Sequence, residues 1–171
     1  MGIRLRDNAR VTECPAWAME QVEVHPPNAA WQDHGEQMRR QLNADLNVWL
    51  LAPVEHVGST AVPGLPAKPV LDLQAAVADL TCAPEVAEVL APDGWNYVPP
   101  EFDERPWRRF FVRTVEGRRA AHLHLMRRES PRWGEQLVFR DALCADPALR
   151  HRYAALKEAL ATQHSADREA Y

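Results

Sequence analysis

No stretch of this chain approaches the roughly 20 consecutive apolar residues of a membrane span, so no membrane partner is expected. An excess of basic charge is also missing. Twenty Lys and Arg against 24 Asp and Glu leave a net charge of −4, which gives no global field to attract nucleic acid or an anionic membrane. Cysteine is scarce: Cys14, Cys82 and Cys144 are odd in number and lack metal or redox spacing, which argues against a disulfide framework and for a reducing cytosol. The N-terminus carries Arg4, Arg6, Asp7 and Arg10 with no apolar core behind them, so it does not read as a signal peptide. There is no dinucleotide fingerprint, no Walker loop, no internal repeat and no low-complexity tract. The expected setting is cytoplasmic.

What is present suits one domain. The 171 residues, 46% apolar and 26% charged, are enough to bury roughly two thirds of the unfolded surface. Residues 1–20 lack a sustained period and read as an arm or short helix, leaving 21–171 as the domain. Gln21 to His25 reads as an edge strand stopped by Pro26 and Pro27. Asn28 reads as the N-cap of a helix to about Leu51, with Trp31, Met38, Leu42, Leu46 and Trp49 as its apolar stripe. Strands are expected at 54–57 and 69–77, a short helix at 84–90, and a turn at Asp93-Gly94. A hairpin follows across Glu116-Gly117, from Trp107–Val115 to Arg119–Met126. Ser130-Pro131 and Asp146-Pro147 open two last helices, to about Ala145 and Gln163. This order predicts an α+β fold, a mixed or antiparallel sheet with helices packed on it.

The chemistry concentrates in His56–Leu73, HVGSTAVPGLPAKPVLDL. Gly58 after a strand permits a tight turn and close approach of backbone to ligand, and Ser59 and Thr60 offer hydroxyl and N–H groups to a phosphate. Pro63, Pro66 and Pro69 stiffen the loop that follows; the alternative is a rigid turn with no ligand. Asp72 alternates with Val70 and Gln74 on one strand face, opposite Leu71, Leu73 and Ala75. A carboxylate in a buried strand needs a compensating cation, either a metal or a structural arginine. An Asp-x-Asp pair is absent, because Gln74 stands two residues on.

His122 and His124 share a face of their strand while Leu123 and Leu125 point to the core. With Asp72 they form a candidate set for a divalent cation, magnesium, manganese or zinc, imidazole suiting zinc or manganese better than magnesium. The alternative roles are hydrogen-bond donor and phosphate contact; Glu55 and His56 are further candidates. Positive charge for phosphate is offered by Lys68, held extended before Pro69, by Arg105, Arg108 and Arg109, and by Tyr153 with Lys157 one helical turn apart. Arg140 lies on the stripe of Trp133 and Leu137, so it requires an internal anion.

These segments resemble the GrpB-like family of the nucleotidyltransferase superfamily. The resemblance rests on residues 56–73, on HLHLM at 122–126 and on FRDALCADPALRHRYAALK at 139–157, and it covers about residues 21–171. It implies a nucleotidyltransferase-like core in which Ser59 contacts nucleotide phosphate and Asp72, the first of an acidic pair, holds metal. Gln74 replaces the second acid, and the third carboxylate position falls near His122 or His124. Such domains also occur fused behind dephospho-coenzyme A kinase, which implies a link to coenzyme A. The chain stops at Tyr171, where family members add a lysine-bearing helix turn.

Three functions follow as expectations. The first is metal-dependent nucleotidyl transfer to an unknown acceptor, with Asp72, His122 and His124 as catalytic residues. Gly58, Ser59, Thr60, Lys68, Arg109, Arg140, Tyr153 and Lys157 would then bind phosphate or nucleotide. The second is a module that binds a nucleotide or coenzyme A-like ligand without turnover. The third is a metal-dependent phosphoesterase built on the His-x-His pair.

Overall fold

A computed structural model describes residues 23–163 together with 5–7, 10–12, 15 and 17. Two short strands near the N-terminus, β1 (Leu5–Asp7) and β2 (Arg10–Thr12), pair antiparallel, a ribbon where a helix or arm was expected. Of the edge strand expected at 21–25, Gln21 and Val22 lie outside the described residues; the rest is a single bridge from His25 to Ala67.

Helix α1 (Ala30–Asp45) begins where the Asn28 side chain accepts the Ala30 N–H at 3.0 Å. It stops at Asp45 rather than near Leu51, and strand β3 (Leu50–Val57) follows a four-residue turn. Leu46 and Trp49 pack on the core from that turn, so core-facing spacing continues past the last helical residue. Pro53 sits in an edge strand, where its missing N–H is tolerated, and Asn43 Oδ1 accepts the next N–H, that of Val54, at 3.0 Å.

The main sheet adds β4 (Leu71–Val77), β5 (Trp95–Val98), β6 (Arg108–Val115) and β7 (Arg118–Arg127), in the order β3-β4-β7-β6-β5. Only β4 and β7 are parallel; the other neighbours are antiparallel. The near-continuous apolar run of β4 suits a strand covered on both faces. On one face Leu71, Leu73, Ala75, Leu123 and Leu125 pack against Trp31, Leu42 and Leu46, and against Val86 and Leu90 of α2 (Ala83–Leu90). Strand β5 and the four-residue α3 (Pro100–Asp103) were not expected, being too short for periodicity to register.

The opposite face carries Asp72, Gln74 and Ala76 beside His122, His124 and Met126, paired in that register. Helix α4 (Pro131–Ala145) covers only part of it, packing Trp133 on Ala76 and Met126. Helix α5 (Pro147–Gln163) follows, and Tyr153 joins Val62, Leu65 and Leu143 in a second cluster. The uncovered end of this face, around Asp72, is the floor of a cavity. No helix of the described residues is long and apolar enough to cross a membrane.

Candidate functional site

Strand β3 ends at Val57, and Gly58 then takes φ +70°, a conformation that favours glycine. A Cβ at Gly58 would lie 2.7 Å from Asp72 Oδ2, so the turn needs glycine for space as well. Ser59–Ala61 form one 3-10 turn beyond it. The Thr60 hydroxyl is buried, 2.9 Å from His56 Nε2 and donating to the Val70 carbonyl at 3.3 Å. With its proton given to Val70, that oxygen accepts from His56, so Thr60 offers a ligand backbone rather than the hydroxyl expected. Burial lowers the His56 pKa to about 4, the Asp72 charge opposing and Arg140 and Arg39 assisting, which keeps the ring neutral.

A cavity of about 310 Å³ opens over this turn, lined by Gly58, Ser59, Lys68, Asp72, His122, Tyr153 and Lys157 among others. Lys157 Nζ donates to Ser59 Oγ at 2.7 Å. Burial, against the pull of Asp72, holds the Lys157 ammonium below the usual lysine range, and burial pushes the Tyr153 phenol up. A larger cavity, about 610 Å³, lies on the α1 side and is lined by residues such as Trp31, Met38, Gln41, Leu71 and Trp95. His34 and Asp93 also line it, but among the described residues no group of three metal-ligating side chains gathers there, so the smaller cavity is the candidate site.

At its floor both imidazoles face one carboxylate oxygen: His122 Nδ1 is 2.9 Å and His124 Nε2 3.6 Å from Asp72 Oδ1. Burial alone would raise the Asp72 pKa, but the two histidines outweigh it and hold the carboxyl well below the usual range. Burial likewise keeps His124 below the usual imidazole range, with Asp72 pulling the other way. Among the described residues, Asp72, His122 and His124 are the group whose donor atoms lie close enough to share a cation, within 4.8 Å of one another.

Other expected residues sit elsewhere. Arg140 meets the internal anion its position requires, Glu55, at 2.8 Å, and also donates to the His56 carbonyl and to Asp141. It braces α4 to β3 and does not line the cavity. Arg109 lines a separate cleft with Asp79, Trp107 and Arg127, because its neighbour Arg108 takes the inward face. Gln74 is fully buried under α4, its Nε2 donating to the Trp133 carbonyl at 3.2 Å, so the second-acid position is closed to ligand. The segment near Tyr171 lies outside the described residues.

One expected cation, Arg108, takes a role other than contacting phosphate, and one position that matters, Gly35, went unnoticed in the sequence. Arg108 is buried against Asp103, with Nε to Oδ2 at 2.9 Å, and its Nη1 reaches His124 Nδ1. Its place two registers from the site, opposite Met126 on β6, was a usable signal once the hairpin was drawn. Gly35 lies inside the α1 stripe, where a Cβ would be 2.2 Å from His56 Nδ1. A lone glycine in a helical pattern is the cue for such close packing.

Residues 21–171 match the family described as GrpB protein. The chain belongs to the GrpB family. It is 36% identical over 140 residues to UPF0157 protein SCO7215 of Streptomyces coelicolor, covering 80% of this chain and 68% of that one. UPF0157 protein YqkA of Bacillus subtilis is 29% identical over 143 residues, 84% of this chain but 40% of that protein. A dephospho-CoA kinase of Mycolicibacterium paratuberculosis is 28% identical over 172 residues, 88% of this chain and 42% of the kinase. The crystal structure of the conserved protein GrpB from Enterococcus faecalis superposes with a TM-score of 0.73 at 28% identity, covering 83% of this chain and 84% of that one. That GrpB neighbour and the five-stranded mixed sheet agree with the α+β fold read from the sequence.

Proposed function

We propose that the cavity binds the phosphate end of a nucleotide and, with one divalent cation held at Asp72, transfers its nucleotidyl group to an acceptor. The observation that carries this reading is an ionised carboxylate at the floor of a cavity walled by Ser59, Lys68, Tyr153 and Lys157. Two ammonium groups and a serine turn suit phosphate oxygens. Asp72 would otherwise repel that same anion, so a cation between them fits the charge pattern. Bound there, the cation would neutralise charge on the phosphoryl oxygens. Lys157 and Ser59 position the phosphate, while Asp72 stays deprotonated throughout.

A second reading, ligand binding without turnover, is favoured by Gln74: the burial of this side chain under Trp133 leaves the site one carboxylate at the paired position. Similarity to a dephospho-CoA kinase is the reason for including coenzyme A in the screen. The deciding experiment is a thermal-shift screen of the four ribonucleoside triphosphates and coenzyme A, each with magnesium or manganese. A ligand at a hundred times its dissociation constant stabilises by about 2.7 kcal/mol. Hits are then followed by pyrophosphate-release assays on the wild type and Asp72→Asn. Release lost in the variant supports transfer; binding with no release from the wild type leaves the binding module. No shift with any ligand overturns both.

A further inference from the structure

We propose that His122 and His124 are not metal ligands but proton-fixed orienters of Asp72, and that Asp72 Oδ2 is the protein oxygen offered to the cation. The inference deepens the cation-assisted reading above, but its evidence lies in hydrogen-bond direction alone.

A neutral imidazole has one N–H and one lone pair, and a guanidinium has only donors. Arg108 is held by Asp103, which takes hydrogen bonds from its Nε and Nη2, and it stacks on Phe110 with 4.1 Å to the ring centroid. From that fixed position its Nη1 points at His124 Nδ1. His124 Nδ1 must therefore carry the lone pair, and the ring proton resides on Nε2, facing Asp72 Oδ1 at 3.6 Å. His122 repeats the arrangement with its nitrogens exchanged. Arg119, anchored through Nε to the Trp17 carbonyl at 2.8 Å, approaches His122 Nε2 at 3.3 Å. The proton of His122 thus sits on Nδ1, which donates to Asp72 Oδ1 at 2.9 Å.

This is the reverse of a metal-ligating histidine, whose outer nitrogen donates to a carboxylate, carbonyl or water. Here each outer nitrogen meets a cation that can accept nothing. Turning a lone pair inward toward a metal would set an imidazole N–H against a guanidinium N–H. Both inner N–H groups converge on Oδ1, whereas Oδ2 is turned toward Gly58, within 2.7 Å of where a Cβ would stand. One oriented carboxylate oxygen plus ligand phosphates is the coordination that magnesium or manganese favours, and it is a poor site for zinc. Arg108 and Arg119 are positioning residues: they act through the rings and not on the ligand.

The test is long-range 1H–15N correlation on ligand-free protein labelled with 15N-histidine, at neutral pH. The expected spectrum shows two neighbouring histidines in opposite tautomers, His124 protonated on Nε2 and His122 on Nδ1. A His124 ring protonated on Nδ1 overturns the proposal. The double variant Asp103→Leu, Arg108→Met should release the His124 tautomer into a mixture; an unchanged His124 tautomer removes Arg108 from the scheme. Manganese alone is the second probe. Pulsed EPR of the wild-type complex should show no imidazole nitrogen coupling, and observed coupling overturns the proposal. Both readouts are independent of whether any nucleotide binds, so a flat ligand screen would sink the nucleotide reading and leave these results standing.

Discussion

Lys157 on the last helix donates to Ser59 Oγ across 98 residues of chain, at 2.7 Å. The serine turn alone is a strand end with a hydroxyl; α5 turns it into one wall of a cationic cavity. The lysine is partly desolvated to get there, so it is already short of water when a phosphate arrives, and each new hydrogen bond replaces little hydration.

Lys157→Met should therefore cost ligand affinity more than stability. Losing one charge-assisted contact is worth roughly 1.5–3 kcal/mol, about ten- to a hundred-fold in affinity, measured by titration calorimetry with whichever triphosphate shifts the melting temperature. Because burial holds this ammonium below the usual lysine range, wild-type affinity should decline on the alkaline side earlier than for an exposed lysine. A variant binding as tightly as the wild type would remove Lys157 from the site.

His56 predicts an acid-sensitive fold. Its pKa falls from 6.5 to about 4 on folding, so below 6.5 the unfolded chain binds more protons than the native one. Stability is fully present above 6.5 and is lost as pH drops toward 4, by on the order of 3 kcal/mol for this group alone. Urea denaturation at pH 7 and pH 4.5 reads the loss. In His56→Gln the same comparison should show a smaller drop, since the remaining acid dependence comes from other groups.

Gly35→Ala should destabilise by about 1–3 kcal/mol through overpacking, because the added methyl would fall 2.2 Å from His56 Nδ1. The pair should couple strongly: in His56→Ala the same glycine change should cost little, and a double-mutant cycle by chemical denaturation measures the difference. Equal costs in both backgrounds would mean that the ring moves aside freely.

A second acid placed at position 74 should not add a second cation site. Gln74 is fully buried and its Oε1 has no hydrogen-bond partner among the described residues. Gln74→Glu would bury a carboxyl facing the Trp133 carbonyl, costing on the order of 2 kcal/mol near neutral pH. A carboxyl raised by burial is easier to bury when protonated, so the cost should shrink as pH falls toward 5. Calorimetry should find no second manganese ion.

The sequence was informative wherever a local rule acts alone. Ser130-Pro131 and Asp146-Pro147 start helices α4 and α5, and alternation puts His122 and His124 on one strand face, to which the β4–β7 register adds Asp72. It misled where two rules overlap. Trp49 kept helical spacing although the chain had already turned toward β3, and only the β4 pairing tells those states apart. Arg140 was rightly read as needing an anion, yet Glu55 supplies it, since composition cannot distinguish a protein carboxylate from a ligand phosphate. The Arg108–His124 contact depends on hairpin register, which periodicity leaves free to slip by one residue.

The parallel pairing of β4 with β7 also governs when the site comes into being. Strands β5, β6 and β7 are near neighbours in sequence and pair cheaply, but Asp72 meets His122 only after a loop of 50 residues has closed. Non-local pairing of this kind forms more slowly than local pairing. The carboxylate and its two imidazoles thus assemble late, and an early collapsed chain, however complete its meander, has nothing to offer a cation.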